Sequence, residues 1–273
     1  VAGIGTSLGL GVLQLTTGIN YVFGTNFSVA FLQMAVIAIM AVIYIFAACT
    51  GVHKGIKYVS TANMWIFVAL MLWAFIFSDT IFILNSTVSG FGEYLQTVVS
   101  AGTYLEPLKA SGWIGGNNIF YLAWWIAFTP FVSLFLIKLA KGRTLRQFIF
   151  VNMVAPVIFV FLWFGIFGAG AISSEIAGSG IADKIAELGT PVSMYAFLET
   201  LPWKPVMFIL GFLAIIFCFV TQAEAITFTA ADMSCTSKST GDDDETTSPA
   251  FLKIFWGVLM ALMAYILIQS GGL

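Results

Sequence analysis

The sequence predicts an all-α polytopic membrane protein, a bundle of helices crossing a lipid bilayer. Three observations predict it. Of 273 residues, 60% are hydrophobic and only 9% are charged, where a soluble domain carries about 25% charged residues. The mean hydropathy is +0.99, and so few polar side chains cannot cover a surface that faces water. The apolar residues also fall into runs of the length a membrane helix needs, about 20 residues. Such runs are too long and too uniformly apolar for the alternating strands of a barrel, and only helices or closed barrels satisfy their backbones in lipid.

Seven segments carry the prediction, at roughly 1–21, 27–51, 58–84, 116–140, 146–171, 204–232 and 250–271. The first opens at Val1 without the basic stretch of a signal peptide, and the last runs out at Leu273. The expectation is a piece of a longer protein. Two connections are more than turns. Residues 87–115 hold an amphipathic stretch, Gly92 to Val99, and then the Gly/Pro-rich Pro107 to Gly116. Residues 172–203 hold two short helical patterns, Ile181 to Leu188 and Val192 to Leu201. These either lie in the membrane interface or pack over the end of the bundle.

Alternate loops sort the eleven Lys and Arg residues unevenly. One side takes Lys54, Lys57, Lys138, Lys141, Arg143, Arg146, Lys238 and Lys253, with His53; the other takes Lys109, Lys184 and Lys204. Cytoplasmic loops are the basic ones. The loops near 52–57, 138–146 and 234–249 are therefore expected to be cytoplasmic, in a multi-pass protein of the cell inner membrane. The acidic run Asp242 to Glu245 then reads as a solvated cytoplasmic loop.

Several function classes are excluded. A net charge of -2 with no basic patch argues against a nucleic-acid partner. Cys49, Cys218 and Cys235 have no metal-ligand spacing. The lone histidine, His53, sits in a basic loop, and neither a His-Glu-x-x-His nor a Gly-x-Ser-Gly pattern occurs, so an intramembrane hydrolase lacks its parts. An enzyme is not expected, and no cofactor or resident metal is.

The most informative segment runs from Asn117 to Arg146. Trp124 and Trp125 lie well inside the apolar run, whereas membrane tryptophans prefer the interfaces. Pro130 follows five residues later. It removes a backbone donor and crowds the preceding turn, so the expectation is a helix that kinks or opens there. Opened helices at membrane depth line cavities, and in transporters they form substrate sites. Trp125, Phe128 and Phe131 or Phe135 recur at three-to-four spacing. An aromatic face of this kind suits a quaternary ammonium, which gains about 1–2 kcal/mol per desolvated ring. In a chain with 16% aromatic residues, ordinary helix packing is the commoner origin of such a face.

The run Phe120-Tyr-x-Ala-Trp-Trp-Ile-Ala-x-x-Pro-Phe-Val, closed by Gly142-Arg-Thr-Leu-Arg-x-Phe, resembles the signature of the betaine/choline/carnitine transporter family. Three further blocks match: Thr6-Ser-Leu-Gly-Leu-Gly11, Gly51-x-x-Lys-Gly-Ile-Lys57 followed by Asn63, and Phe197-Leu-Glu-x-Leu-Pro202. The resemblance implies a leucine-transporter-like bundle of two inverted repeats, here incomplete. Residues 1–110 would be the C-terminal part of the first repeat, with three membrane helices and the start of a periplasmic connection. Residues 111–273 would be the second repeat without its last helix. The resemblance also implies a secondary transporter of glycine betaine, choline or carnitine type, and family members are often homotrimers. Trp125 would lie against the trimethylammonium group with Trp124 beside it, Phe128 would stand at another aromatic position, and Phe131 would line the path. A sodium-independent antiporter of carnitine type, or a non-transporting fragment or sensor, are the alternatives.

Segment 204–232 adds a candidate for the coupling cation, with Na+ as the first choice. Glu224 is a carboxylate inside an apolar run, which is costly unless it meets a partner or water. Sodium-coupled members of the family carry a Thr-Ser pair at Thr221-Gln222 and an acid two residues later. Thr221 and Glu224 match that pattern and Gln222 departs from it, although its amide oxygen can still ligate a hard cation. Thr6 is a further candidate on the first segment. Its neighbours Ser7, Gly9 and Gly11 also read simply as small residues that let helices approach closely.

Overall fold

The computed structural model describes residues 2–25, 27–50, 57–106, 112–140, 142–235 and 248–271. The connections carrying His53, Lys54, Lys109, Lys141, Lys238 and the acidic run Asp242 to Glu245 lie outside the described residues, wholly or in part. Everything described is helix, turn or irregular chain. In order the helices are α1 (Ala2–Phe23), α2 (Val29–Thr50), α3 (Lys57–Phe77), α4 (Thr80–Thr103), α5 (Phe120–Leu139), α6 (Leu145–Ile149), α7 (Ala155–Trp163), α8 (Ala169–Ile176), α9 (Ile181–Leu188), α10 (Ser193–Leu198), α11 (Lys204–Met233) and α12 (Ala250–Gln269). Wider π-turns at Phe150–Val154 and Phe164–Gly168 join α6, α7 and α8 into one long rod. Among the described residues six stretches are long and apolar enough to cross a membrane: Val29–Thr50, Tyr58–Phe77, Gly115–Ile137, Leu145–Ile176, Lys204–Met233 and Ala250–Gln269. The protein is multi-pass.

The core forms around α1. Ile4, Leu8, Val12 and Leu15 recur at intervals of three or four and are all buried, as one face of a 3.6-residue helix must be. They meet Val36, Met40 and Tyr44 of α2, Ile215, Val220 and Ile226 of α11, and Met260 and Ala264 of α12. Tyr44 Oη donates to the Gly257 carbonyl at 2.6 Å, and Gln269 Nε2 donates to Gln33 Oε1 at 3.1 Å. These two bonds tie α2 to α12 at two depths. Residues 1–110 and 111–273 are thus interleaved, because α1 and α2 pack against α11 and α12 and α3 packs against α11.

The expected apolar segment 58–84 is two helices. Asp79 caps α4, its Oδ1 accepting from Phe82 N at 3.0 Å, and a carboxylate at that position stabilises a new helix start. The amphipathic stretch after Gly92 belongs to this continuous 24-residue helix, which is not among the stretches long and apolar enough to cross a membrane. The choice for the 172–203 connection is also resolved for its second half. Tyr195, Ala196, Phe197 and Leu198 are buried, and α10 plugs the end of the bundle against α11, α1, α8 and α9. α9 rides on it, with Ile181 inward and Asp183 and Glu187 outward.

Pro130 does not open α5. The helix runs unbroken from Phe120 to Leu139 with the proline inside it. Pro130 removes the donor for the carbonyl four residues back, and the Thr129 hydroxyl donates one residue away, to Trp125 O at 2.8 Å. The departure from α geometry lies upstream instead, in the π-turn Gly115–Ile119.

Candidate functional site

α5 meets α1 along one stripe. Trp124, Phe128 and Phe131 lie within about 60° of one another around a helix that turns 100° per residue, and all three pack on the core cluster around α1. Phe128 is 8% exposed. The Trp124 indole N–H donates to the Gly3 carbonyl at 3.1 Å, and its ring sits edge-on to Phe128 with centroids 6.3 Å apart. Phe120 and Tyr121 extend the cluster, each 5.9 Å from Trp124.

Trp125 is not part of that stripe. One residue on, about 100° around the helix, it is 70% exposed. The aromatic face expected to run through Trp125, Phe128 and Phe131 therefore runs through Trp124, Phe128 and Phe131. The expected spacing of three and three drifts off a 3.6-residue period, and four and three stays on it. The tryptophan pair is split: one ring is fixed to the bundle and the other is presented outward.

The cation candidates do not converge. α11 is a continuous helix through Thr221, Gln222 and Glu224. On it Gln222 and Glu224 point about 160° apart, whereas Thr221 and Glu224 are about 60° apart. Glu224 is fully buried, and neither of its carboxylate oxygens has a hydrogen-bond partner among the described residues. The Thr221 hydroxyl donates back to Phe217 O at 2.7 Å. Thr6 stands half-buried on α1, about 140° around that helix from Gly11, the residue that meets Phe219 of α11. In this arrangement Gln222 faces away from Thr221 and Glu224. The Thr6–Gly11 stretch acts as the small-residue reading expects, since a Cβ at Gly11 would come within 2.5 Å of the Phe219 ring.

Sequence reasoning missed a polar cluster at the opposite end of α1. Glu199, at the end of α10, accepts from the Tyr21 hydroxyl of α1. Its Oε2 pairs with Lys184 of α9 at 2.9 Å and its Oε1 lies 3.7 Å from Lys204 of α11. Glu199 sits in the Phe197-Leu-Glu-x-Leu-Pro202 block, so the sequence marked the residue without showing its partners. Beside it, Thr17, Asn20, Tyr21, Thr25 and Leu188 line a cleft of about 610 Å³.

Similarity to known proteins decides what kind of bundle this is. The model of the betaine/carnitine/choline family of transporters matches residues 1–273. The chain belongs to the betaine/carnitine/choline transporter family. It is 36% identical, over its whole length and 52% of the relative's, to the glycine betaine transporter OpuD of Bacillus subtilis (strain 168). It is 31% identical to an ectoine/hydroxyectoine transporter of Virgibacillus pantothenticus, again over the whole chain and 53% of the relative. It is 31% identical to the osmo-dependent choline transporter BetT2 of Acinetobacter baylyi (strain ATCC 33305 / BD413 / ADP1), over the whole chain and 39% of that protein. The chain spans about half the length of these family members or less. The deep tryptophan pair, the α1 small-residue stretch and the Glu199 block are thus features of a chain in a transporter family, not an enzyme family.

Proposed function

We propose that the whole protein to which this chain belongs is a secondary active transporter of quaternary-ammonium compounds, of glycine betaine or choline type, working by alternating access. The observation that carries this is the split tryptophan pair. Trp125 lies inside a stretch long and apolar enough to cross a membrane and is 70% exposed, on a helix that its neighbours Trp124 and Phe128 fix to the core. An exposed indole face on a rigid mount is what a trimethylammonium group needs for cation–π attraction. The relatives named as glycine betaine and choline transporters support the substrate class; carnitine rests on the family's name. We place the protein in the cell inner membrane with the basic loops near 52–57, 138–146 and 234–249 on the cytoplasmic side.

We further propose that a cation gradient drives uptake. Sodium-independent exchange stands as the second reading, because Gln222 and Glu224 point to opposite sides of α11.

The test is Trp125→Leu in the full-length protein, with uptake of labelled glycine betaine, choline, carnitine and ectoine measured in a transport-deficient host. Loss of one desolvated cation–π ring weakens apparent affinity about five- to thirtyfold. Unchanged uptake of whichever compound the wild type moves would sink the reading.

A further inference from the structure

We propose that the corner between α5 and α6 holds the headgroup of an anionic phospholipid, with Arg143 on its phosphate. The inference does not depend on which substrate the protein moves; it rests on where two membrane-length stretches meet. One apolar stretch ends at Ile137 and the next begins at Leu145, so the chain between them turns at the level where headgroups lie. The turn is tight. Arg143 N donates to the Ala140 carbonyl at 2.9 Å, and Gly142 takes a φ of +82°, which any side chain would resist. Against this turn stands a cleft of about 300 Å³, lined by the apolar Leu136, Phe148 and Val151 and by the polar Arg143, Gln147 and Asn152.

The donors of that cleft are open to a ligand. Arg143 is exposed, and among the described residues it meets no carboxylate. None is near in sequence either: no Asp or Glu occurs between Glu106 and Glu175, while Lys138, Lys141, Arg143 and Arg146 all fall in that stretch. The Gln147 side-chain oxygen accepts from the Thr144 backbone N–H at 3.2 Å, which leaves the Gln147 amide N–H groups to donate elsewhere. A guanidinium fork beside an amide donor suits phosphate oxygens. The apolar lining decides where that phosphate comes from. A free phosphate ion would leave Leu136, Phe148 and Val151 unused, whereas a phospholipid lays an acyl chain along them. The headgroup is anionic because nothing lining the cleft is acidic, so a choline ammonium would find no partner there. The basic side of the bundle, placed above in the cytoplasm, also faces the leaflet whose anionic lipids attract such residues.

The test uses the full-length protein in a neutral detergent. Binding of short-chain phosphatidylglycerol is followed by thermophoresis, with short-chain phosphatidylcholine as the zwitterionic comparison. Phosphatidylglycerol should bind about fivefold more tightly, the worth of one basic side chain beside an anionic surface. Arg143→Gln should bring the two lipids to within about twofold of each other. Val151→Trp fills the cleft without changing its charge and should weaken both. Arg146→Gln removes the same charge from outside the cleft lining and should leave the preference standing. Phosphatidylglycerol should also raise the unfolding temperature of the wild type and of Arg146→Gln but not of Arg143→Gln, and a cooperative transition in each variant separates a lost site from a lost fold. Equal binding of the two lipids by the wild type overturns the inference. So does an equal loss of preference in Arg143→Gln and Arg146→Gln, which is diffuse surface charge. Displacement of the lipid by inorganic phosphate at equal concentration overturns it too, because the site would then take a free anion.

Discussion

Glu199 gathers donors from three helices: the Tyr21 hydroxyl of α1, the Lys184 ammonium of α9 and the Lys204 ammonium of α11. The hydrogen bond from Lys184, then that from Tyr21, holds the Glu199 carboxyl below its ordinary value of 4.5. Glu199 in turn holds the Lys184 ammonium above its ordinary 10.5. A depressed carboxyl contributes stability that is present above its unfolded pKa and lost as pH falls through the folded one. A raised lysine contributes stability that is full below its unfolded pKa and lost as pH rises through the folded one. The cluster should therefore be at full strength from about pH 5 to pH 10 and fade outside that window. Lys184 and Glu199 are about a third exposed (31% and 32%) and Lys204 more than half, so the cluster's worth is about 1 kcal/mol or less. Glu199→Gln should lower the unfolding temperature of the full-length protein in detergent by about 1 °C or less at pH 7, and wild type and variant should converge as pH falls through the lowered carboxyl pKa. A gap that persists once the carboxyl is protonated would show that packing, not the ion pair, sets the difference.

At the scale of helices, α1 works because of what it leaves out. Gly11 makes way for Phe219 of α11, and Gly18 makes way for the Tyr195 ring of the buried α10 plug. A methyl at Gly18 would run into that ring, and Tyr195 has nowhere to go. Gly18→Ala should cost about 1–3 kcal/mol, the usual penalty for overpacking, read as a drop in unfolding temperature; Gly24→Ser, where nothing lies within 4 Å, is the control for helix-end strain at a positive φ. Such contacts mark the limit of what the sequence could show. The membrane spans were legible because length and hydropathy are local properties. The break at Asp79 was legible in principle, since one acid stands between two apolar runs. Pro130 does not open α5 because losing one backbone bond does not break a helix that its neighbours hold. Which ring of the pair faces the bundle was partly legible, since Trp124, Phe128 and Phe131 keep a 3.6-residue period and Trp125, Phe128 and Phe131 do not; the bond that Trp124 makes there, to the Gly3 carbonyl, joins residues more than a hundred positions apart.

For the molecule as a whole, the open question is how a cation would couple to a bundle in which α11 crosses without a break. A regular helix sends Thr221 and Glu224 toward one side and Gln222 toward the other. A single small cation needs its oxygen ligands within about 2.3–2.6 Å, so Gln222 cannot join the other two unless α11 unwinds. Glu224 is fully buried and neither of its oxygens has a hydrogen-bond partner among the described residues, and a carboxylate inside an apolar helix is costly without a partner or water. If uptake by the full-length protein depends on sodium, Gln222→Ala should leave its sodium activation constant within twofold, while Thr221→Ala, which removes the hydroxyl on the Glu224 side, should raise it severalfold. Equal effects of the two changes would mean that α11 opens at this point in another state of the transport cycle. Accumulation that persists when potassium replaces sodium, at every external pH tried, would move the protein to the exchange reading. Glu224 would then be a structural carboxylate and not the seat of the coupling ion.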